Sequence, residues 1–319
     1  MMVRPSFKFG WISEYDSIES DKSPTIENHN FAFATFLAGR DGGHGANIEE
    51  HDTSDGYFVS ARVLIYQLLH SPTVRGNKSI PLIILVTEDV SQKKRDRLKR
   101  DGATIIPVEK LYSEWITPKQ GRWQDVLTKL RLFEMTQYEK ICFIDADHLI
   151  TQPLEGVFDD PAAMVQTTLQ DPAIRDEAPL PESYVFASKT EAGGYGHSYP
   201  PEEGNYLNIG FFVLGPNKVL FNYYVTLMQP EYANLFSPEF PEQNLMNYAH
   251  RKDGKMPWHH LWYGWNMNWP TENDMKGGAH SFHAKYWDND PTHDPVLKAV
   301  WQNQRAEMEG YWHGRENQL

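Results

Sequence analysis

Apolar positions along the chain form either short unbroken runs or stripes spaced three and four apart, and the two patterns predict different elements. Phe31, Ala32, Phe33, Ala34, Phe36 and Leu37 form a first run, and residues 81–87 and 103–108 form two more. Each reads as a strand buried on both faces. Between them, Phe58, Ala61, Leu64, Ile65, Leu68 and Leu69 predict a helix over 57–70, and Ser91 caps a second helix that Gly102 stops. A helix over 124–137 carrying Lys129 then leads into the run at 140–144. Strands alternating with helices predict an α/β fold with a single, mainly parallel central sheet flanked by helices.

Later elements are less regular. Residues 162–168 and 206–214 are further strand candidates, the second interrupted by Asn208 and Gly210, and 218–228 and 242–250 read as helices. A glycine inside a strand marks close approach of a ligand or another backbone. Trp258, Trp262, Trp265 and Trp269 share a helical spacing that Pro257, Gly264 and Pro270 interrupt, and they read as core or staple residues before a sugar-stacking platform. Three stretches fall outside the periodic pattern: an N-terminal arm at 1–29, an acidic insertion at 39–56, and a variable loop at 171–204 dense in Pro, Gly, Glu and Tyr. The rest of 30–319 is expected to fold as one domain. His44 and His51 in the insertion read as part of a solvated loop, and a long loop such as 171–204 is usually functional.

The run at 140–144 ends in Asp145-Ala146-Asp147. Two carboxylates one residue apart, at the carboxyl end of a buried strand, can face one side and share a hard cation. An isolated Asp-x-Asp more often caps a turn. Its context therefore decides, and His280, His283 and Lys285 supply further polar groups near the C-terminus.

The charge balance narrows the partners. The 319 residues carry 30 basic and 43 acidic side chains, a net charge of -13, which argues against duplex nucleic acid and anionic membranes. Six basic residues on the Ser91-capped helix, Lys93, Lys94, Arg95, Arg97, Lys99 and Arg100, read as a solvated face. No apolar stretch is long enough to span a bilayer, and Met1 to Asp21 lack a signal-peptide pattern, so a cytoplasmic location is expected. The single cysteine, Cys142, lies inside the central strand, away from any thiol chemistry. Phosphate-loop, nucleophile-elbow, zincin and dinucleotide fingerprints are all absent.

Thr128-Lys129-Leu130, Tyr138, Ile144-Asp145-Ala146-Asp147, Asn208-Ile209-Gly210, Glu242-Gln243 and the stretch from His280 to Trp287, taken in that order, resemble glycosyltransferase family 8, the group of glycogenin and galactinol synthase. The resemblance covers about residues 31–290. It implies a GT-A fold and transfer of a hexosyl unit, with retention, from a UDP-sugar to a hydroxyl acceptor. It further implies Mn2+ (or Mg2+) held by Asp145, Asp147 and His280, with His283 as the alternate ligand. Lys285 would meet the diphosphate, Ala146 would belong to the nucleotide-binding set, and Thr35, Phe36 and Tyr57 would line the uridine. Lys129, Asn208, Glu242 and Gln243 would face the sugar, and a homodimer is compatible with this picture. The chain departs from the family at Glu242, where the family has Asp, and at His283 and Tyr286, where it has Gly and Pro. Two other readings share the motif: a catalytically silent nucleotide-sugar binding protein, and a phosphatase of the haloacid dehalogenase type with Asp145 as nucleophile. His148-Leu149 after the second Asp, and the α/β structure ahead of it, count against the phosphatase.

Overall fold

The computed structural model describes residues 30–39 and 54–317. The expected arm at 1–29 and most of the acidic insertion, with His44 and His51, lie outside the described residues. The chain runs through β1 (Phe31–Leu37), α1 (Gly56–Ile65, continued by a wider turn over Tyr66–His70), β2 (Leu82–Val86), α2 (Gln92–Arg100) and β3 (Thr104–Pro107). A 3₁₀ helix over Val126–Glu134 leads into β4 (Lys140–Ile144), β5 (His148–Ile150), β6 (Gln166–Thr167), β7 (Ser183–Tyr184), β8 (Phe186–Thr190) and β9 (Leu207–Leu214). Then come α3 (Lys218–Leu227), α4 (Pro241–Ala249), β10 (His259–His260), β11 (Met267–Asn268), α5 (Glu272–Lys276), β12 (Ser281–His283) and α6 (Pro295–Glu316).

The central sheet has the order β10-β8-β9-β4-β1-β2-β3. From β4 through β3 the strands are parallel, whereas β9 runs antiparallel to both β4 and β8. Alternation along each strand feeds two cores. Ala32, Ala34, Ile141 and Phe143 point toward α3 and α4, while Phe33, Leu37, Cys142 and Ile144 point toward α1 and α2. A fully buried ring such as Phe143 contributes about 2 kcal/mol through its lost contact with water. Helix α6 covers the outer side of α1 through Trp301, Met308 and Trp312. Among the described residues no helix is long and apolar enough to cross a membrane.

A second, three-stranded sheet of order β11-β12-β5 positions the chemistry. Its middle strand runs antiparallel to β5, pairing His283 with His148. Residues just past the Asp-Ala-Asp turn are thereby joined to a segment more than a hundred residues later.

Three local expectations change. The helix around Lys129 is 3₁₀ over Val126–Glu134, buried on nearly every side, so no solvated stripe could reveal its pitch. The variable loop contains β7 and β8, because the apolar stretch around Val185 and Phe186 pairs with β9 despite its Pro- and Gly-rich surroundings. The basic face of α2 is only partly solvated. Lys94 is buried against Asp55, the residue that caps α1, and Arg97 is buried 2.8 Å from Asp101 and 2.6 Å from Glu316.

Candidate active site

Asp145 and Asp147 leave β4 at the sheet's carboxyl edge, where Asp145 N still donates to Gly210 O at 2.8 Å. That tie holds the turn against β9. From β12, His283 Nε2 reaches to 3.0 Å from Asp147 Oδ1 and 3.9 Å from Asp145 Oδ2. Lys285 Nζ lies 2.8 Å from Asp147 Oδ2. Gly210 makes room for this: a Cβ there would overlap the His283 ring. The bare position in β9 thus accommodates a side chain from a distant strand.

Asp147, His148 and His283 can each bring one donor atom to within 4.8 Å of the others. His148 is nevertheless committed elsewhere. Its Nδ1 lies 2.8 Å from Asp145 O and its Nε2 3.0 Å from Asn266 Oδ1, and burial lowers its pKa to about 3. A neutral ring donating from Nδ1 must accept at Nε2, so the Asn266 amide belongs with its NH2 toward the ring. That orientation also gives Asn266 Nδ2 the partner it otherwise lacks among the described residues. His148 stacks on His283, centroids 4.3 Å apart, and so fixes the ring that faces the carboxylates. Asp145, Asp147 and His283 form a donor set suited to a divalent ion such as manganese.

His280, expected as the third ligand, is placed elsewhere. Its Nδ1 lies 2.8 Å from Pro153 O, and its ring meets Trp262 and Trp265 edge-on. The family resemblance implied His280 with His283 as the alternate, and the strand register puts His283 beside the carboxylates.

The charges form one linked array. Burial pulls the His283 and Lys285 pKa values down, yet Asp147 outweighs it in both and they are raised. Burial would raise Asp147, but Lys285 and His283 hold it well below the usual carboxylate range. Asp145 is raised, because burial and the Asp147 charge outweigh Lys129 and His283. Lys129 Nζ bridges Asp145 Oδ1 at 2.8 Å and Glu242 Oε1 at 3.1 Å. Burial opposes its charge, and the two carboxylates together raise its pKa.

These groups line an open cleft of about 270 Å³ that also contains Phe36, Tyr57, Ala146, Asn208 and Gln243. Lys285 Nζ lies 5.7 Å from the centre of the Tyr57 ring, which packs edge-on against Trp287. Gln243 Oε1 accepts from Ile209 N at 3.2 Å. Asn208 Oδ1 accepts from Gly210 N at 2.9 Å, which aims its Nδ2 at Glu191 Oε2, 2.7 Å away. Thr35, expected beside the uridine, is fully buried within β1 and does not line the cleft, and its hydroxyl has no partner among the described residues. Its neighbour Phe36 occupies that wall.

Arg122, Trp123, Glu191 and Phe240 also line the cleft, and sequence reasoning singled out none of them. Glu191 follows the polar end of β8, Ser188-Lys189-Thr190, so no abrupt change from apolar to charged marks it. Arg122 and Trp123 belong to a single 3₁₀ turn, Gly121–Trp123, too short for a periodicity to mark them.

Against known proteins, no family model matches the chain. An uncharacterized protein of Schizosaccharomyces pombe is 30% identical over 293 residues, covering 81% of this chain and 75% of the relative. Galactinol synthase 1 of Solanum lycopersicum is 26% identical over 227 residues, covering 70% of this chain and 61% of the relative. In architecture the chain is similar to the galactosyltransferase LgtC, with a TM-score of 0.52 at 12% identity over 86% of this chain and 95% of the other. By these likenesses the chain belongs to glycosyltransferase family 8 and has the GT-A fold.

Proposed function

We propose that the protein is a metal-dependent retaining glycosyltransferase that moves a hexosyl unit from a UDP-sugar to a hydroxyl acceptor. The observation that carries this reading is the convergence of Asp145, Asp147, His283 and Lys285 at one side of the cleft, with Lys129, Asn208 and Gln243 facing the same space. Asp145, Asp147 and His283 would hold Mn2+ or Mg2+. Such an ion supplies positive charge against a leaving diphosphate.

The chain's own side chains do the rest. Lys285 keeps its proton at neutral pH and sets a second positive charge beside the leaving group. Lys129 orients Asp145 and ties up Glu242 in an ion pair, so Glu242 is poorly placed to act as a nucleophile. Asn208 and Gln243, each fixed by a backbone N–H of β9, position the sugar. The acceptor oxygen then bonds to the anomeric carbon on the side from which the diphosphate departs, as the bond from that carbon to the diphosphate oxygen breaks and the hydroxyl proton passes to the departing phosphate, preserving the anomeric configuration.

The test is UDP release across UDP-glucose, UDP-galactose, UDP-GlcNAc and UDP-glucuronate, with and without manganese. Turnover with one donor that needs manganese and vanishes in Asp147→Ala is expected. Absence of UDP release with every donor would sink the reading. A glycosyl adduct trapped on Glu242 would overturn same-side attack while leaving the rest intact.

A further inference from the structure

We infer that Phe7, Phe9 and Trp11 of the chain's own N-terminal arm cover an apolar face beside β6, at the edge of the molecule opposite the cleft. The inference is independent of the glycosyl-transfer reading and concerns a surface that takes no part in it.

β6 and β7 form a two-stranded ribbon outside the central sheet. The ladder continues past β6, because Thr168 N donates to Glu182 O at 3.0 Å. Successive side chains of an extended segment point to opposite faces. Val165, Thr167 and Leu169 therefore share one face, and all three are exposed, Val165 at 65% and Leu169 at 49%. Met164, just ahead of them, is 44% exposed. No other six-residue stretch among the described residues leaves more than one large apolar side chain this open. Single exposed apolar residues are ordinary, whereas a cluster marks a contact surface.

The point at which the arm joins the domain identifies the occupant. Asn30 is the first described residue, and its O accepts from Glu139 N at 2.7 Å. Phe31 then stacks on Phe158, centroids 4.8 Å apart. Lys140 Nζ lies 5.7 Å from the centre of the Phe31 ring, 2.7 Å from Phe158 O and 3.8 Å from Met164 Sδ. One lysine side chain thus joins the start of β1 to the start of the exposed stretch. Phe31 and Lys140 also begin two paired parallel strands whose other ends face the cleft, so Met164 and the cleft lie at opposite edges of the sheet.

The arm matches this face in spacing and in charge. Phe7, Phe9 and Trp11 alternate with Lys8 and Gly10, the same period of two that separates Val165, Thr167 and Leu169. Residues 1–13 carry Arg4 and Lys8 and no acidic side chain, in a chain of net charge -13. The surroundings of the face are net acidic: Asp171, Asp176 and Glu182 stand against Arg175 and Lys255, and Lys255 is already paired with Asp176 at 2.6 Å. A second copy of the chain would set that acidity against itself. A tether as long as residues 12–29 spans about 25 Å on average. Attached this close, the aromatic residues reach an effective concentration on the order of millimolar, so a contact too weak to hold a separate molecule is still occupied.

The test uses the full chain. Cys142, its single cysteine, is buried, so introduced thiols react alone. In Phe9→Cys/Val165→Cys, mild oxidation should give a disulfide within one molecule, which runs as a monomer on a non-reducing gel. It should form about tenfold faster than in Phe9→Cys/Val219→Cys, where Val219, 42% exposed on α3, reports chance encounters with the arm. Hydrogen exchange supplies a readout without new thiols. The amides of 164–169 should exchange about tenfold faster in Phe7→Ser/Phe9→Ser/Trp11→Ser than in wild type. Equal rates for the two cysteine pairs, or exchange unchanged by the three serines, would overturn the inference. A disulfide-linked dimer would overturn it too, and would make a second copy the occupant.

Discussion

Two walls of one cleft solve the problem of buried polarity differently. On the Asp145 and Asp147 side every carboxylate meets a cation, and the charges form a linked array from Glu242 through Lys129 to Lys285. On the Glu191 side the carboxylate is satisfied by amides and an indole, with no ion pair among the described residues. Ion pairs in low dielectric are strong only while both partners remain, so the first wall is easily disrupted and suits an anionic ligand. Neutral donors change little with salt or ligand charge, so the second wall suits an uncharged one.

The comparison can be attacked from the ionic side first. Asp147→Ala removes a carboxylate facing His283 and Lys285, and UDP release should fall about a thousandfold, with manganese affinity lost in a direct titration. Lys129→Met leaves buried Glu242 and half-buried Asp145 without their shared cation. It should lower unfolding free energy by about 3 kcal/mol in urea melts. If stability were unchanged, the array would not be the linked unit described here. Gly210→Ala pushes a methyl group into the His283 ring, and activity should fall about a hundredfold through displaced geometry. A structure of that variant with His283 unmoved would remove the explanation. The smallest effect is also the most discriminating. Raising salt from about 0.05 to 0.5 M should weaken donor binding several-fold and leave acceptor KM nearly constant, because screening acts on the ionic wall alone.

Much of this was legible from residue patterns because it follows from burial. The runs that became β1, β2, β4 and β9 are largely apolar on both faces, and the abrupt end of β4 in Asp145 and Asp147 marked a turn that lines the cleft. Long-range register was not legible. Choosing between His280 and His283 required knowing that His283 lies opposite His148, a pairing that no local pattern reveals. Gly210 announced a close approach without saying what approached. Glu191 and Trp269 were hidden for a different reason. Their segments are rich in turn-forming residues, and the network joining them spans 78 positions, a separation over which no local period survives.

The small sheet that pairs β5 with β12 has a consequence for synthesis. A ribosome delivers Asp145 and Asp147 long before His283 and Lys285 emerge, so a nascent chain carries the acidic turn unfinished until β12 and Lys285 follow. A chain broken off before Lys285 would therefore lack one face of the candidate site, whatever the state of its acidic turn.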